Sequence, residues 1–82
     1  MKYFVFFLVS FGFLWAEVDI NHANKGELMS LKGIGESKAE AIIDYRKTHC
    51  FSSSDELMHV KGIGSSILEK NRKDILIRKC SK

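Results

Sequence analysis

Two copies of the segment Lys-Gly-Ile-Gly, at residues 32–35 and 61–64, are the parts of this sequence best suited to chemistry. Each is followed by a stretch with helical spacing, so the glycines lie where a tight turn leads into a helix. The first backbone N–H groups of a helix lack internal acceptors, and glycine allows an anion to approach them closely. Lys32 and Lys61 place a positive charge beside each turn, and Lys38 lies one helical turn beyond the first. The spacing therefore predicts two phosphate-binding turns in one small domain, as a nucleic-acid backbone would require.

The two turns belong to an internal repeat of 29 residues. Residues 24–35 and 53–64 are identical at seven of twelve positions, and each copy has a cap residue followed three positions later by Glu. This arrangement predicts a capping box at Asn24 and another at Ser53. The spacing predicts two short helices before the turns and two longer helices after them, at residues 25–31, 54–60, 36–47 and 65–76.

The apolar positions of both copies predict one shared core. Leu28 and Leu31 have the spacing of a buried helical stripe, and Ile34 and Ile63 are expected to anchor the turns in the core. Phe51, in the connection at residues 48–52, is expected to be buried as well. Asn71 falls on the apolar stripe of the last helix, where it either weakens the helix or marks its end.

Residues 1–16 have the pattern of a secretory signal peptide: Lys2, an apolar run to Trp15, and the small residue Ala16 before Glu17. The run is short for a membrane span, which needs about 20 apolar residues, and an uncleaved anchor is the alternative. Cleavage would leave 66 residues, which suffices for one small domain and excludes a multidomain enzyme. The expected location is the periplasm.

Cys50 and Cys80 are the only cysteines in the 82 residues. An exported domain with a thin core favours a disulfide between them, and two unpaired thiols are the alternative. The histidines and cysteines lack the spacing of a metal site, so no metal is expected. No cofactor is expected either.

Catalysis is not expected. Glu36, Glu40 and Asp44 have i, i+4 spacing, which ordinarily indicates a solvated helix face paired with Lys or Arg. A nuclease or repair enzyme would need more chain than the two hairpins leave, and no catalytic triad pattern occurs.

Residues 19–64, DINHANKGELMSLKGIGESKAEAIIDYRKTHCFSSSDELMHVKGIG, resemble the tandem helix-hairpin-helix domain of the ComEA type. The similarity extends to about residue 76, and with the signal peptide it resembles the short periplasmic form of this family. It implies an all-α fold at residues 17–82, with hairpin units at about 24–47 and 53–76. It further implies sequence-independent binding of double-stranded DNA across the minor groove, for DNA uptake in natural transformation (competence). A partner in the inner-membrane DNA-uptake machinery is a further expectation.

The resemblance also implies which residues contact DNA. In the first hairpin these are the backbone amides of Gly33, Ile34 and Gly35, with Lys38 as phosphate partner, and in the second hairpin the matching positions are Gly62, Ile63 and Gly64. The family usually has an uncharged residue where Lys32 and Lys61 stand, and both lysines should aid phosphate binding. Ile67 replaces the equivalent of Lys38, so the second hairpin is expected to use other cations, which are Lys70, Arg72 and Lys73.

A second class of function fits the same sequence. Helix-hairpin-helix units also serve as protein-interaction scaffolds, and the expected mature net charge of +2 is small for a DNA-binding protein. The charge is uneven, however: residues 17–56 carry −3 and residues 57–82 carry +5. The C-terminal third is therefore expected to attract a polyanion more strongly.

Overall fold

The computed structural model describes residues 17–80, and the predicted signal peptide lies outside them. The chain forms two helical hairpins, which confirms the predicted all-α tandem helix-hairpin-helix fold with about four helices. A two-stranded parallel sheet, which the sequence did not predict, joins the ends of the domain. In chain order the elements are β1 (Val18–Asp19), α1 (Lys25–Met29), α2 (Glu36–Arg46), a 3-10 helix (Ser54–His59), α3 (Ser65–Asn71), a 3-10 turn (Arg72–Asp74) and β2 (Ile75–Leu76).

The first hairpin consists of α1, the turn at residues 32–35 and α2. The predicted capping box is present: Asn24 accepts from the Glu27 N–H at 2.8 Å, and the Glu27 carboxylate accepts from the Asn24 N–H at 2.9 Å. These two bonds satisfy orphan donors at the start of α1 and set where the helix begins. The helix ends at Met29, two residues earlier than predicted.

The second hairpin differs from the first in its leading helix. Ser54–His59 is a 3-10 helix, and Ser53 makes no side-chain cap bond, so the second capping box was predicted wrongly. The Glu56 carboxylate instead accepts from the N–H and hydroxyl of Ser52 at 3.1 and 3.0 Å. Because these bonds involve Ser52, one residue before the expected N-cap Ser53, they stabilise the preceding loop rather than the N-cap.

Both hairpins contribute to a single hydrophobic core, as predicted. Leu28 and Ile42 enter it from the first hairpin, and Leu57 and Leu68 from the second. Phe51, in the connection between the hairpins, is buried as expected.

The last helix is shorter than predicted, which corrects its expected extent to residue 76. It ends at Asn71 and is followed by the 3-10 turn and β2. Ile75 therefore lies in a strand rather than on a helical stripe, paired in register with Val18. This parallel pairing requires the beginning and end of the domain to meet, and a strand that begins at Ile75 satisfies it where a continued helix would not.

Two further links hold the ends together. The side chain of Asn21 donates to the carbonyls of Phe51 and Arg78 at 2.9 and 2.8 Å, and accepts from the Phe51 N–H at 2.9 Å. The Cys50–Cys80 disulfide is formed, with its Cα atoms 6.1 Å apart, which confirms the predicted pair.

Within residues 17–80, every helix is too short or too polar to cross a membrane.

Candidate nucleic-acid interface

The first turn (residues 32–35) and the second turn (residues 61–64) share one backbone conformation. Gly33 and Gly62 have φ angles of +79° and +93°, in the left-handed region that other residues reach only at a cost. Each turn thus depends on the first glycine of its Gly-Ile-Gly segment. The two copies of the sequence repeat therefore have the same backbone structure at the positions expected to bind an anion.

The isoleucines between the glycines anchor the turns in the core, and their backbone N–H groups are not offered to a ligand. Ile34 and Ile63 are buried in the core, as predicted. The N–H of Ile34 donates to the Leu31 carbonyl at 3.2 Å, and that of Ile63 to the Val60 carbonyl at 3.0 Å. Since both donors are occupied, the expected phosphate contact through them is not available in this structure.

The second glycine of each turn is the N-cap of the helix that follows. The Gly35 carbonyl accepts the first α-helical bond of α2, from Ala39 at 2.9 Å, and the Gly64 carbonyl that of α3, from Leu68 at 3.1 Å. The N–H groups that precede those bonds are the orphan donors of each helix. A β-carbon placed on Gly35 or Gly64 would meet no described atom within 4 Å, so both turns are open to an approaching ligand.

One side chain of each hairpin packs on the turn of the other hairpin. A β-carbon placed on Gly62 would lie 3.5 Å from Cγ and Cε of Lys38, so the aliphatic part of Lys38 packs on the second turn. Ile67, the equivalent residue of the second hairpin, lies against Gly33 in the same way, at 3.3 Å. The sequence placed Lys38 beside the first turn; because the hairpins pack against each other, its stem lies on the second turn, which has no lysine of its own at that position.

Asn71 fixes the position of the first turn, a role the sequence did not reveal. Its side chain accepts from the Lys32 N–H and donates to the Lys32 carbonyl, both at 2.8 Å. It also donates to the Ile67 carbonyl at 2.9 Å and is only 2% exposed. A polar residue on an apolar stripe was the signal in the sequence, and its partner could not be identified without the fold.

Most of the predicted cationic residues carry uncompensated charge. Lys32, Lys38, Lys61, Lys70 and Lys73 make no ion pair with any residue from 17 to 80. Their charges are available to a polyanion.

Arg72 is the exception among the predicted contacts. Its guanidinium pairs with Glu69 at 2.7 Å and with Asp55 at 2.9 Å, and these two partners raise its pKa. The hydrogen bond from Arg72 in turn lowers the pKa of Glu69. Arg72 ties α3 to the 3-10 helix, so its charge is largely balanced within the protein.

The acidic residues of α2 are paired in the way the sequence predicted for a solvated helix face. Lys25 contacts Glu36 and Glu40, each at 2.9 Å, and these contacts raise the pKa of Lys25. The part of the chain from 17 to 80 holds no group of three or more His, Cys, Asp or Glu side chains placed to bind a metal ion.

Comparison with known proteins gives a consistent result. A family model described as a helix-hairpin-helix motif matches residues 15–76. A Haemophilus influenzae protein described as uncharacterized is 47% identical over 62 residues, which are 73% of this chain and 55% of that protein. ComE operon protein 1 of Bacillus subtilis is 41% identical over 64 residues, 77% of this chain and 31% of that protein. Endonuclease/exonuclease/phosphatase family domain-containing protein 1 of Homo sapiens is 35% identical over 63 residues, 76% of this chain and 11% of that protein. The chain thus spans between about a tenth and about half of these relatives.

Proposed function

This chain belongs to the helix-hairpin-helix family, as a member of the ComEA type, and we propose that it binds double-stranded DNA through the phosphate backbone. The observation that carries the proposal is the pair of equivalent turns. Each has a left-handed glycine, an open N-cap glycine and orphan amides at the start of a helix. Phosphates spaced along a nucleic-acid backbone are the ligand that two such turns fit together.

The binding we propose is independent of DNA sequence. The groups offered at the turns are backbone amides and lysines beside them, which suit contacts to phosphates, whereas sequence is read by side chains that reach base edges in the grooves. Asn71 has the chemistry to read a base, but it is buried and occupied with the backbone of Lys32. The proposed contacts therefore position DNA without discriminating among its sequences.

We further propose that the protein acts in the periplasm as a DNA receptor for competence, handing DNA to the inner-membrane uptake machinery. The signal-peptide pattern of residues 1–16, the similarity to ComE operon protein 1 and the Cys50–Cys80 disulfide support this proposal. Disulfides persist in oxidising compartments such as the periplasm. N-terminal sequencing of the exported protein should find a start near Glu17, and a cytoplasmic protein beginning at Met1 would contradict it.

We propose a binding role rather than an enzymatic one. The match to the endonuclease-named relative covers 11% of that protein, so it concerns the domain alone. The α2 carboxylates Glu36 and Glu40 are both held by Lys25 and lie on the surface. The alternative from a different class is a protein-interaction module that uses the same fold as a scaffold.

A salt titration with random duplex DNA separates the two. Contact with about four to six phosphates predicts a slope of roughly −4 to −5 in log K against log salt concentration. Lys38→Ala should lower the slope by about 0.9 and weaken binding about eightfold at 0.1 M salt, equally for every duplex. Lys38→Arg, which keeps the positive charge at this position, is the matched control and should leave both the slope and the affinity near those of the parent. If the folded protein binds no duplex, the interaction module becomes the leading function.

A further inference from the structure

A second basic surface lies at the other end of α2 from the first turn. It is an open groove of about 770 Å³ between the loop that follows α2 and the last described residues, and we call it the disulfide groove. Arg46 and Lys47 line one side, Arg78 and Lys79 line the other, and the Cys50–Cys80 bond joins the two sides. No acidic side chain lines this groove within the described part of the chain.

Two of these cations have only weak internal partners. Lys47 Nζ lies 3.6 Å from a carboxylate oxygen of Asp44, and both side chains are well exposed. Arg78 Nε lies 4.0 Å from Asp19, whose carboxylate is already held by His22 at 2.6 Å. Both pairs are long and both cations are well exposed, so the pairs contribute little and both charges remain available to an anion.

The positive charges of the other two cations are also available to an anion. Lys79 makes no ion pair with residues 17–80. Arg46 donates one N–H to the Ile20 carbonyl at 3.0 Å, which fixes its guanidinium while leaving other donors free. Four positive charges thus surround one groove.

The walls of the groove are held in place before any ligand binds. Asn21 links the backbones of Phe51 and Arg78, and the disulfide fixes Cys80 against Cys50. Residues 78–80 would otherwise be the end of the domain and free to move away. A preorganised concave site loses less entropy on binding than a flexible basic tail would.

The chemistry of the groove selects a phosphate backbone rather than bases. The aromatic residue at its floor, Phe51, is 2% exposed and offers no surface on which a base could stack. Proteins that hold single strands combine basic grooves with exposed aromatic rings, and this groove has only the charge. Its concave form also suits a ridge of phosphates better than a flat membrane surface.

Because of its position, the groove cannot contact the duplex that the hairpins hold. The orphan amides of α2 point out of its N-terminal end, so that duplex lies beyond the first turn. The 11 residues of α2 place the groove about 16 Å behind that end. We propose that the disulfide groove binds the phosphate backbone of a second duplex, so that one protein molecule bridges two DNA segments. This inference rests on the proposed function, because it takes DNA as the ligand of the turns.

A bridging assay tests the proposal with the purified protein in its oxidised form. Bead-bound duplex is incubated with protein and then with a fluorescent duplex, and both the protein and the fluorescence retained on the beads are measured in 0.1 M salt. Lys47→Gln combined with Lys79→Gln removes two phosphate contacts, which weakens the groove about 60-fold at this salt concentration. We expect the retained fluorescence to fall at least tenfold while the retained protein changes less than twofold.

The matched control removes two charges at the second turn, by Lys38→Gln with Lys61→Gln, and should lower the retained protein as well as the fluorescence. A double Cys50→Ser, Cys80→Ser variant that stays folded should lose bridging and keep hairpin binding. A parent protein that is retained on the beads but captures no second duplex overturns this inference and leaves the proposed function intact. A parent protein that is not retained at all overturns both. Binding to phosphatidylglycerol vesicles that requires Lys47 and Lys79, without bridging, would also overturn the inference.

Discussion

Replacing the two N-cap glycines should separate DNA binding from folding. Gly35→Ala with Gly64→Ala adds one methyl group to each turn, where no described atom lies within 4 Å. The φ angles there are −95° and −107°, which alanine adopts without strain. Alanine is a poorer N-cap than glycine, but it also restricts the unfolded chain, by about 0.4–1 kcal/mol per site. These effects oppose each other, so we expect the free energy of unfolding to change by less than about 1 kcal/mol.

The same methyl groups should nevertheless obstruct the ligand, because they project into the open space in front of the orphan amides. A hydrogen bond from an amide to a charged phosphate contributes about 1.5–3 kcal/mol. Losing one such bond per turn corresponds to a factor of about ten or more at each turn. We therefore expect duplex affinity to fall at least about 100-fold in the double variant, while its circular dichroism and urea midpoint stay near those of the parent.

The matched pair is Gly33→Ala with Gly62→Ala, in which each glycine lies two positions before the N-cap glycine of its turn, and the expected effect is the opposite. Their φ angles of +79° and +93° cost alanine about 1–2 kcal/mol at each site. At Gly33 the new β-carbon would also lie 3.3 Å from Cγ1 of Ile67. A domain of this size has a stability of roughly 3–10 kcal/mol, so a loss of about 2–4 kcal/mol should lower the thermal midpoint by about 10 °C or more.

The two pairs are compared by thermal unfolding and by fluorescence anisotropy with a labelled random duplex. If the Gly35 and Gly64 variant binds duplex DNA like the parent, the turns are not the binding surface. If it unfolds as easily as the Gly33 and Gly62 variant, the open approach to the turns has been interpreted wrongly.

Three other changes test the features that support the turns. Asn71→Leu removes three hydrogen bonds that contribute about 0.5–1.5 kcal/mol each, and apolar burial offsets this loss only partly. Urea unfolding should therefore show an unfolding free energy lower by about 1–2 kcal/mol, and the Lys32 amide should lose hydrogen-exchange protection. Opening the Cys50–Cys80 bond, which closes a loop with a sequence separation of 30, should lower the unfolding free energy by about 3–4 kcal/mol; two reactive thiols per chain in the untreated protein would contradict the pairing. Partial burial would raise the pKa of Asp19, but its hydrogen bonds lower it overall, so the stability it contributes is present above about pH 4 and is lost as the pH falls through its folded pKa. Asp19→Asn should therefore make the urea midpoint less sensitive to acidification from pH 5 to pH 3.

The elements near the turns could be predicted because their signals are local. A capping residue, a Glu three positions later and a pair of glycines act within one helical turn of the chain, so Asn24 and both Gly-Ile-Gly segments could be interpreted without a partner. The burial of Ile34, Ile63 and Phe51 also follows from local apolar patterning. The second capping box shows the limit of this reasoning, since Ser52 competed with Ser53 for the Glu56 carboxylate.

The contacts within the candidate site could not be predicted from the sequence to the same degree. The sequence placed Lys38 beside the turn that precedes it, and the structure places its stem on the other turn, against Gly62. The partner of a long side chain depends on how two helices pack, which local spacing does not encode. The same reason explains why Asn71 was recognised as unusual while its bonds to Lys32 were not foreseen.

By itself, the sequence predicted the two repeated hairpins, their glycine turns and the shared core, and it favoured the cysteine pair over two unpaired thiols. These depend on interactions between neighbours in the chain, or, for the cysteines, on having only one possible partner. Only the tertiary structure decided where α3 ends, how Val18 pairs with Ile75 and which cations surround the disulfide groove. Each of these joins segments more than 25 residues apart, and such contacts form only once the core has brought the segments together.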